Sequence, residues 1–187
     1  MEKIQIFLQK WRVRLGHLFG IVLLIFSRPE MRWLIAGTAV ALAGEAIRIV
    51  SAGCIQKDTD LSVSGPYAFT RNPLYLGSFL MYLGFCIAAS NGVVLAVFPP
   101  FFFIVYYATI FREEAYLSGA FGEKYAKYCS EVPRFFPGIR SSRAEGGALR
   151  FSLARAMGNR EYEAMIAVVV ILGLLWAMGL TGFRVIH

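Results

Sequence analysis

The stretch 74-LYLGSFLMYLGFCIAAS-NG-VVLAVFPPFFFIVYYATIF-111 decides the fold. Leu74 to Ser90 and Val93 to Phe111 are uncharged apolar runs joined by Asn91-Gly92, a dipeptide that favours a tight turn. Two such runs predict an antiparallel helical hairpin in a bilayer, so their outer ends face one side. Pro99 and Pro100 fall inside the second run. A membrane helix tolerates them because neighbouring helices and local adjustments satisfy the freed carbonyls. The pair predicts a kink there, with room for a lipid tail as the alternative.

Composition extends this reading to the whole chain. Its 187 residues are 57% apolar and 15% aromatic, with a mean hydropathy of +0.57. That is more apolar surface than a soluble domain buries. Charged residues, 17% of the chain, cluster between the apolar runs, as expected when each mid-membrane charge costs about 2.5–3.5 kcal/mol on insertion scales. A net charge of +7 suits nucleic acid, yet no basic stripe interleaves with exposed aromatics. We therefore read no nucleic-acid partner, and assign the charge to cytoplasmic retention and to membrane lipid headgroups. Cys54, Cys86 and Cys129 lack metal-ligand spacing and read as free thiols, with no metal expected. His17 and His187 lie at opposite ends of the chain, which leaves histidine-assisted nucleophiles little to work with.

Outward from the hairpin, the chain reads as an all-α integral membrane protein, a single domain over 1–187 with four to five transmembrane helices. The candidate spans are 15–27, 31–50, 74–90, 93–111 and 164–183; the regions 51–73 and 112–161 are cytoplasmic. Leu15 to Phe26 follows Lys3, Lys10, Arg12 and Arg14, but Ser27-Arg28-Pro29-Glu30 offers no signal-peptide cleavage site. Spanning is favoured over lying flat, which would leave four crossings. In the second span Trp33 is a candidate interfacial anchor, and Gly37, Ala41 and Gly44 share one face for close packing on a neighbour. Glu45 and Arg48, three residues apart, read as a salt bridge at headgroup level rather than as site residues.

Lys57, Arg71, Lys124, Lys127, Arg134, Arg140, Arg143, Arg150, Arg155 and Arg160 place both polar regions in the cytoplasm by the positive-inside rule. Leu117, Phe121, Tyr125 and Tyr128 give Glu114 to Tyr128 helical spacing, residues 141–147 read as a flexible centre, and Leu149 to Met157 as a basic amphipathic helix.

Two polar blocks flank the hairpin: GPYAFTRNPLYLG from Gly65 to Gly77, and EEAYLSGAFGEKYAKYCSEVPRFFP from Glu113 to Pro137. In this order, over Ser64 to Pro137, they resemble the isoprenylcysteine carboxyl methyltransferase family and its phospholipid N-methyltransferase relatives. The resemblance implies S-adenosylmethionine as cofactor, bound in a cytoplasmic cofactor-binding region, and a lipophilic or lipidated substrate entering from the bilayer. Carried over residue by residue, it places Gly65, Tyr67, Arg71, Asn72, Pro73, Tyr75 and Gly77, with Glu113, Glu114, Phe121 and Tyr125, around the cofactor. Family members commonly have histidine where this chain has Asn72, so an imidazole contact there becomes an amide hydrogen bond or is absent.

The residue chemistry suits such a ligand, because an amino-acid tail needs a cation for its carboxylate and an acid for its ammonium. Arg71 and Glu113 or Glu114 supply these, and the tyrosines can stack on adenine or bind ribose. Ordinary interfacial anchoring is the competing explanation for arginine and tyrosine at a helix start. For catalysis, Arg134 is the candidate clamp on an acceptor carboxylate, and Glu114 or Glu131 the candidate base should the acceptor be an amine. Carboxylate O-methylation of an isoprenylcysteine-like molecule leads. Phospholipid or amine N-methylation and an NADPH-dependent sterol-reductase-like enzyme, for which arginine-x-proline-x-tyrosine elements are also known, are the alternatives.

Overall fold

A computed structural model describes residues 2–55, 61–138 and 151–185, with side chains in the first helix from Arg14 onward. Lys57, Arg140, Arg143, Arg150 and the segment 141–147 lie outside the described residues. Among the described residues the chain is helical, with no strand. The helices are α1 (Glu2–Phe26), α2 (Met31–Cys54), α3 (Pro73–Ala88), α4 (Gly92–Phe121), α5 (Glu123–Glu131), α6 (Leu153–Gly158) and α7 (Glu161–Thr181), with a 3-10 turn at Gly65–Ala68. α2, α4 and α7 are each long and apolar enough to cross a membrane, and Arg14–Phe26 and α3 are shorter apolar helices. The protein is an all-α, multi-pass membrane protein.

The turn that decides the hairpin is built by Asn91, whose Oδ1 accepts hydrogen bonds from the amides of Val93 (3.0 Å) and Val94 (3.2 Å). This caps α4. The same turn is stitched to the α1–α2 connection: the Arg28 amide donates to Ala89 O (2.8 Å) and Asn91 Nδ2 to Phe26 O (2.9 Å). Both connections therefore sit at one end of the bundle, and the polar blocks at the other.

α3 touches α4, but its tightest partner is α2. A Cβ on Gly37 would fall 2.4 Å from Gly84 O, and one on Gly84 would fall 2.6 Å from Gly37 O. One step along, Gly44 and Gly77 repeat this reciprocal approach, at 2.6 and 2.7 Å. The small-residue face expected on the second span thus lets two antiparallel backbones meet, and its partner is the first arm of the hairpin. At the cavity end of this seam Arg48 Nε lies 3.6 Å from Glu45, the pair that the spacing suggested.

α4 differs from expectation. A span ending at residue 111 and a separate helix from Glu114 to Tyr128 were predicted; instead one helix runs from Gly92 through Pro99 and Pro100 to Phe121. Arg112-Glu113-Glu114-Ala115 contains no glycine or proline, so nothing interrupts the backbone ladder where the apolar run stops. The break falls at Gly122, whose φ of 52° suits glycine, and α5 follows. α6 is shorter than the predicted basic helix; Ser152 caps it, its Oγ accepting from the Arg155 amide (3.4 Å).

The bundle interior is aromatic. Phe85, Phe98 and Phe102 are fully buried with Leu23, Leu34 and Leu175. Phe102 stacks on Tyr106 with ring centroids 4.3 Å apart. Phe135, from the second polar block, packs edge-on against Phe79 at 5.9 Å and Phe103 at 5.2 Å, which pins that block to the helices.

Candidate functional site

The two blocks meet backbone to backbone. The Arg71 amide donates to Pro133 O (2.9 Å), the Gly138 amide donates to Phe69 O (2.9 Å), and Thr70 Oγ1 donates to Phe135 O (2.8 Å). Asn72, buried at the start of α3, completes the strap: its Nδ2 donates to Glu114 Oε1 (3.0 Å) and to Arg134 O (2.9 Å). Proline at position 73 opens α3 without an amide to satisfy, leaving Asn72 as the residue that turns the chain.

Glu114 is the centre of this junction. It is buried, and beside the Asn72 amide it takes Arg134 Nε at 2.9 Å and Arg71 NH1 at 3.6 Å. Two guanidiniums thus share one carboxylate, and the junction keeps a surplus positive charge. The Arg134 guanidinium lies over the Phe111 ring, 4.2 Å from its centroid. Its side chain is 44% exposed, and among the described residues its two terminal amino groups make no hydrogen bond. Arg71 also donates from NH1 to Cys129 Sγ (2.7 Å). Burial works against the Arg71 charge, but Glu114 and then Cys129 outweigh it and hold its pKa above the ordinary guanidinium range. Its Nε is buried with no hydrogen-bond partner among the described residues.

Beside this junction lies a cavity of about 360 Å³. One wall is Tyr67, Arg71, Asn72, Pro73, Leu74 and Tyr75; the facing wall is Glu113, Tyr116, Leu117, Ala120 and Phe121; Ile55, Leu61, Ser62 and Tyr128 close it. A bond from Tyr75 Oη to Glu113 Oε2 (2.8 Å) joins the walls, and Tyr128 Oη donates to Tyr67 O (2.7 Å). Burial, and after it the nearby Glu113, pushes the Tyr67 phenol well above its ordinary pKa; burial does the same for Tyr128 and Tyr125. These hydroxyls are neutral donors over the physiological range.

Of the residues singled out from sequence, Tyr67, Arg71, Asn72, Pro73, Tyr75, Glu113 and Phe121 line the cavity. Glu114 and Arg134 stand behind Arg71 and Asn72 and do not line it. Tyr125 is buried with Tyr128 and Val132 in a small apolar cluster under the site. Gly65, at φ 63°, starts the 3-10 turn that presents Tyr67. Gly77 is a correction in place: it sits in the α2–α3 seam, where a Cβ would fall 2.7 Å from Arg48 Cγ, and not on the cavity wall. Glu131, weighed as a base, is exposed and away from the cavity.

Tyr116 and Ala120 carry no expectation from the sequence, and Leu117 only a place in a helical pattern, although a signal existed for all three. Positions 113, 116, 117, 120 and 121 follow the i, i+3, i+4, i+7, i+8 rule of one helix face. The predicted helix from Glu114 to Tyr128 contained most of that face, but its spacing was assigned to Leu117, Phe121, Tyr125 and Tyr128, a different stripe. Leu61 and Ser62 carry no such pattern.

The profile of the phospholipid methyltransferase family matches residues 15–124. The cobalt-zinc-cadmium resistance protein CzcN of Cupriavidus metallidurans is 29% identical over 143 residues, 72% of this chain and 65% of that protein. The protein-S-isoprenylcysteine O-methyltransferase of Schizosaccharomyces pombe is 29% identical over 127 residues, 65% of this chain and 54% of that protein. The chain thus spans less than two thirds of the length of either relative. No solved structure matches it.

Proposed function

Because this chain belongs to the phospholipid methyltransferase family, we propose that it is an integral-membrane methyltransferase using S-adenosylmethionine to methylate a lipophilic carboxylate, an isoprenylcysteine-like molecule being the leading candidate. The observation that carries this reading is a cavity whose opposite walls come from the two polar blocks.

The residues present fit that cofactor. A volume of about 360 Å³ is of the size that holds a small ligand. Arg71 Nε, buried and without a hydrogen-bond partner among the described residues, suits a carboxylate, and Glu113 on the facing wall suits an ammonium. Tyr67, Tyr116 and Tyr128 offer ring faces and hydroxyls for a purine and its ribose. When bound, the cofactor supplies an electrophilic methyl group on a sulfonium. The protein's own contribution is to hold, orient and exclude water; well-oriented reactants gain up to about 7–11 kcal/mol in ideal cases.

Carboxylate over amine acceptance follows from the junction's charge. An ionised carboxylate needs orientation and no base, and the open amino groups of Arg134 offer a bidentate grip. An amine needs its proton removed. Both Glu114 oxygens are already engaged by Asn72 and Arg134, and Glu131 is remote, so neither is placed to do so. The name of the Schizosaccharomyces relative agrees with an O-methyl product. A cytoplasmic site is part of this proposal: Arg112, Lys124, Lys127, Arg155 and Arg160 cluster at the cavity end, against Arg28, Arg32 and Arg184 at the other.

Calorimetric titration of the detergent-solubilised protein tests the reading. Saturable binding of S-adenosylhomocysteine, and transfer of label from radiolabelled S-adenosylmethionine into a host lipid extract, are expected. Saturable binding of NADPH alone would replace this reading with a membrane reductase.

A further inference from the structure

Beyond the stretch that the family profile matches, α7 packs Val168, Leu172 and Leu175 into the core, Asn159 Nδ2 donates to Ala52 O (2.9 Å) and Trp176 Nε1 to Thr38 Oγ1 (3.0 Å), and a buried ionic link ties the start of α7 to α2. Glu161, the first residue of α7, is buried and accepts from Arg48 NH2 with both oxygens, at 3.2 and 2.9 Å. The same guanidinium donates from NH1 to Ser78 Oγ on α3, and its Nε faces Glu45 at 3.6 Å. Its aliphatic stem packs where α3 has Gly77: a Cβ there would fall 2.7 Å from Arg48 Cγ. Arg48 therefore joins three helices at one point. That point lies one turn into α3, whose first turn carries Asn72, Pro73 and Tyr75 of the cavity wall.

We propose that Glu161, acting through Arg48 and Ser78, is a positioning residue that sets the height and rotation of the first turn of α3 and so the shape of the cavity. The charges favour this over simple helix anchoring. One guanidinium stands between two buried carboxylates, and Glu45 has no hydrogen bond to either oxygen among the described residues. Glu161, with two short contacts, is what fixes the direction of the guanidinium. Remove it, and Arg48 swings toward Glu45 and off Ser78. The loss is felt at Tyr75 and Asn72 because a helix turn moves as a unit. α7 is thus a working part of the site, though it contributes no residue to the cavity.

The functional consequence rests on the cofactor reading above, so the test has one arm without ligand. In the ligand-free protein, hydrogen exchange of the amides of residues 74–80 is compared among wild type, Glu161→Gln and Ser78→Ala. Exchange at least fivefold faster in both variants is expected, as is recovery toward wild type in Ser78→Thr, which keeps the hydroxyl. Calorimetry with S-adenosylhomocysteine forms the second arm. Each single variant should weaken binding about tenfold, and the double variant no more than either alone, since both cut one path. Should Glu161→Gln fail to fold, Glu161→Asp, which keeps the charge but shortens the reach to Arg48, takes its place beside Ser78→Ala, whose hydroxyl also donates to Leu74 O (2.9 Å). Wild-type exchange in Ser78→Ala, or additive losses in the double variant, overturns the proposal. Wild-type protein that binds no S-adenosylhomocysteine refutes the cofactor reading and leaves the exchange arm to judge the brace.

Discussion

Gly84→Ala puts one methyl group into the α2–α3 seam, and the structure states what that methyl meets. Its Cβ would lie 2.3 Å from Ala41 N, 2.6 Å from Gly37 O and 2.7 Å from Ala41 Cα. All three are backbone atoms, so no rotamer change relieves the overlap. Restoring ordinary contact at 3.4 Å requires the helices to part by roughly 1 Å. A gap of that size forfeits about a quarter to a half of each dispersion contact along the seam. Overpacking costs about 1–3 kcal/mol, and a rigid backbone clash belongs at the upper end. At roughly 2–4 °C per kcal/mol for a chain of this size, the melting temperature should fall by about 6–12 °C. Gly119→Ala is the control, because nothing among the described residues lies within 4 Å of a Cβ there. It should be neutral or stabilising by up to about 1 kcal/mol through helix propensity. Opposite signs for the two variants, read by thermal unfolding in one detergent, are the expected result. Equal melting temperatures would mean that α2 and α3 do not touch as described, and the architecture around the site would have to be redrawn.

Three further outcomes follow from the site. Glu114→Gln keeps the acceptor for Asn72 but removes the charge between Arg71 and Arg134; since Arg134 is 44% exposed and screened, a loss of about 2–3 kcal/mol in stability is expected. S-adenosylhomocysteine affinity should drop more than tenfold with it, and unchanged values on both measurements would refute Glu114 as the hub. Arg134→Ala should lower kcat at least tenfold while cofactor affinity stays within about twofold of wild type, because Arg134 does not line the cavity; a parallel fall in both contradicts the clamp. For pH, Tyr67 and Tyr128 have folded pKa values raised above the unfolded value of about 10. Their contribution to stability is complete below about pH 10 and is lost as pH rises beyond it. The tyrosine contribution to melting temperature should therefore hold level up to about pH 10 and fall above it, and Tyr128→Phe should reduce that alkaline slope.

Much of this architecture was legible because hydrophobic runs, a turn dipeptide and a row of small residues are local signals. Gly37, Ala41 and Gly44 announced a packing face by spacing alone, and Glu45 and Arg48 announced their pair. Local signals do not say which distant partner answers. Nothing near Gly77 distinguished a glycine that meets another helix from one that meets a ligand, since both uses demand the absence of a side chain. Glu161 stands 113 residues from Arg48, and only folding brings them together. The end of α4 was misjudged for a different reason: hydropathy marks where a membrane stops, whereas a helix stops only where its backbone is interrupted, here at Gly122. The convergence of the two polar blocks was inferable from the hairpin, but the role of Asn72 as a double donor across them was not.

The length of α4 has a mechanical consequence. Thirty residues make a rod of about 45 Å, while a hydrocarbon core is about 30 Å thick, so about 15 Å of it stands clear of the lipid. That overhang is the cavity wall from Glu113 to Phe121. Helices answer a thinner bilayer by tilting, and a tilt of roughly 10° would carry the tip of such a lever sideways by about 3 Å. Changing the acyl-chain length of the surrounding lipid is therefore expected to change the width of the cavity, and S-adenosylhomocysteine affinities that match in short-chain and long-chain vesicles would refute this.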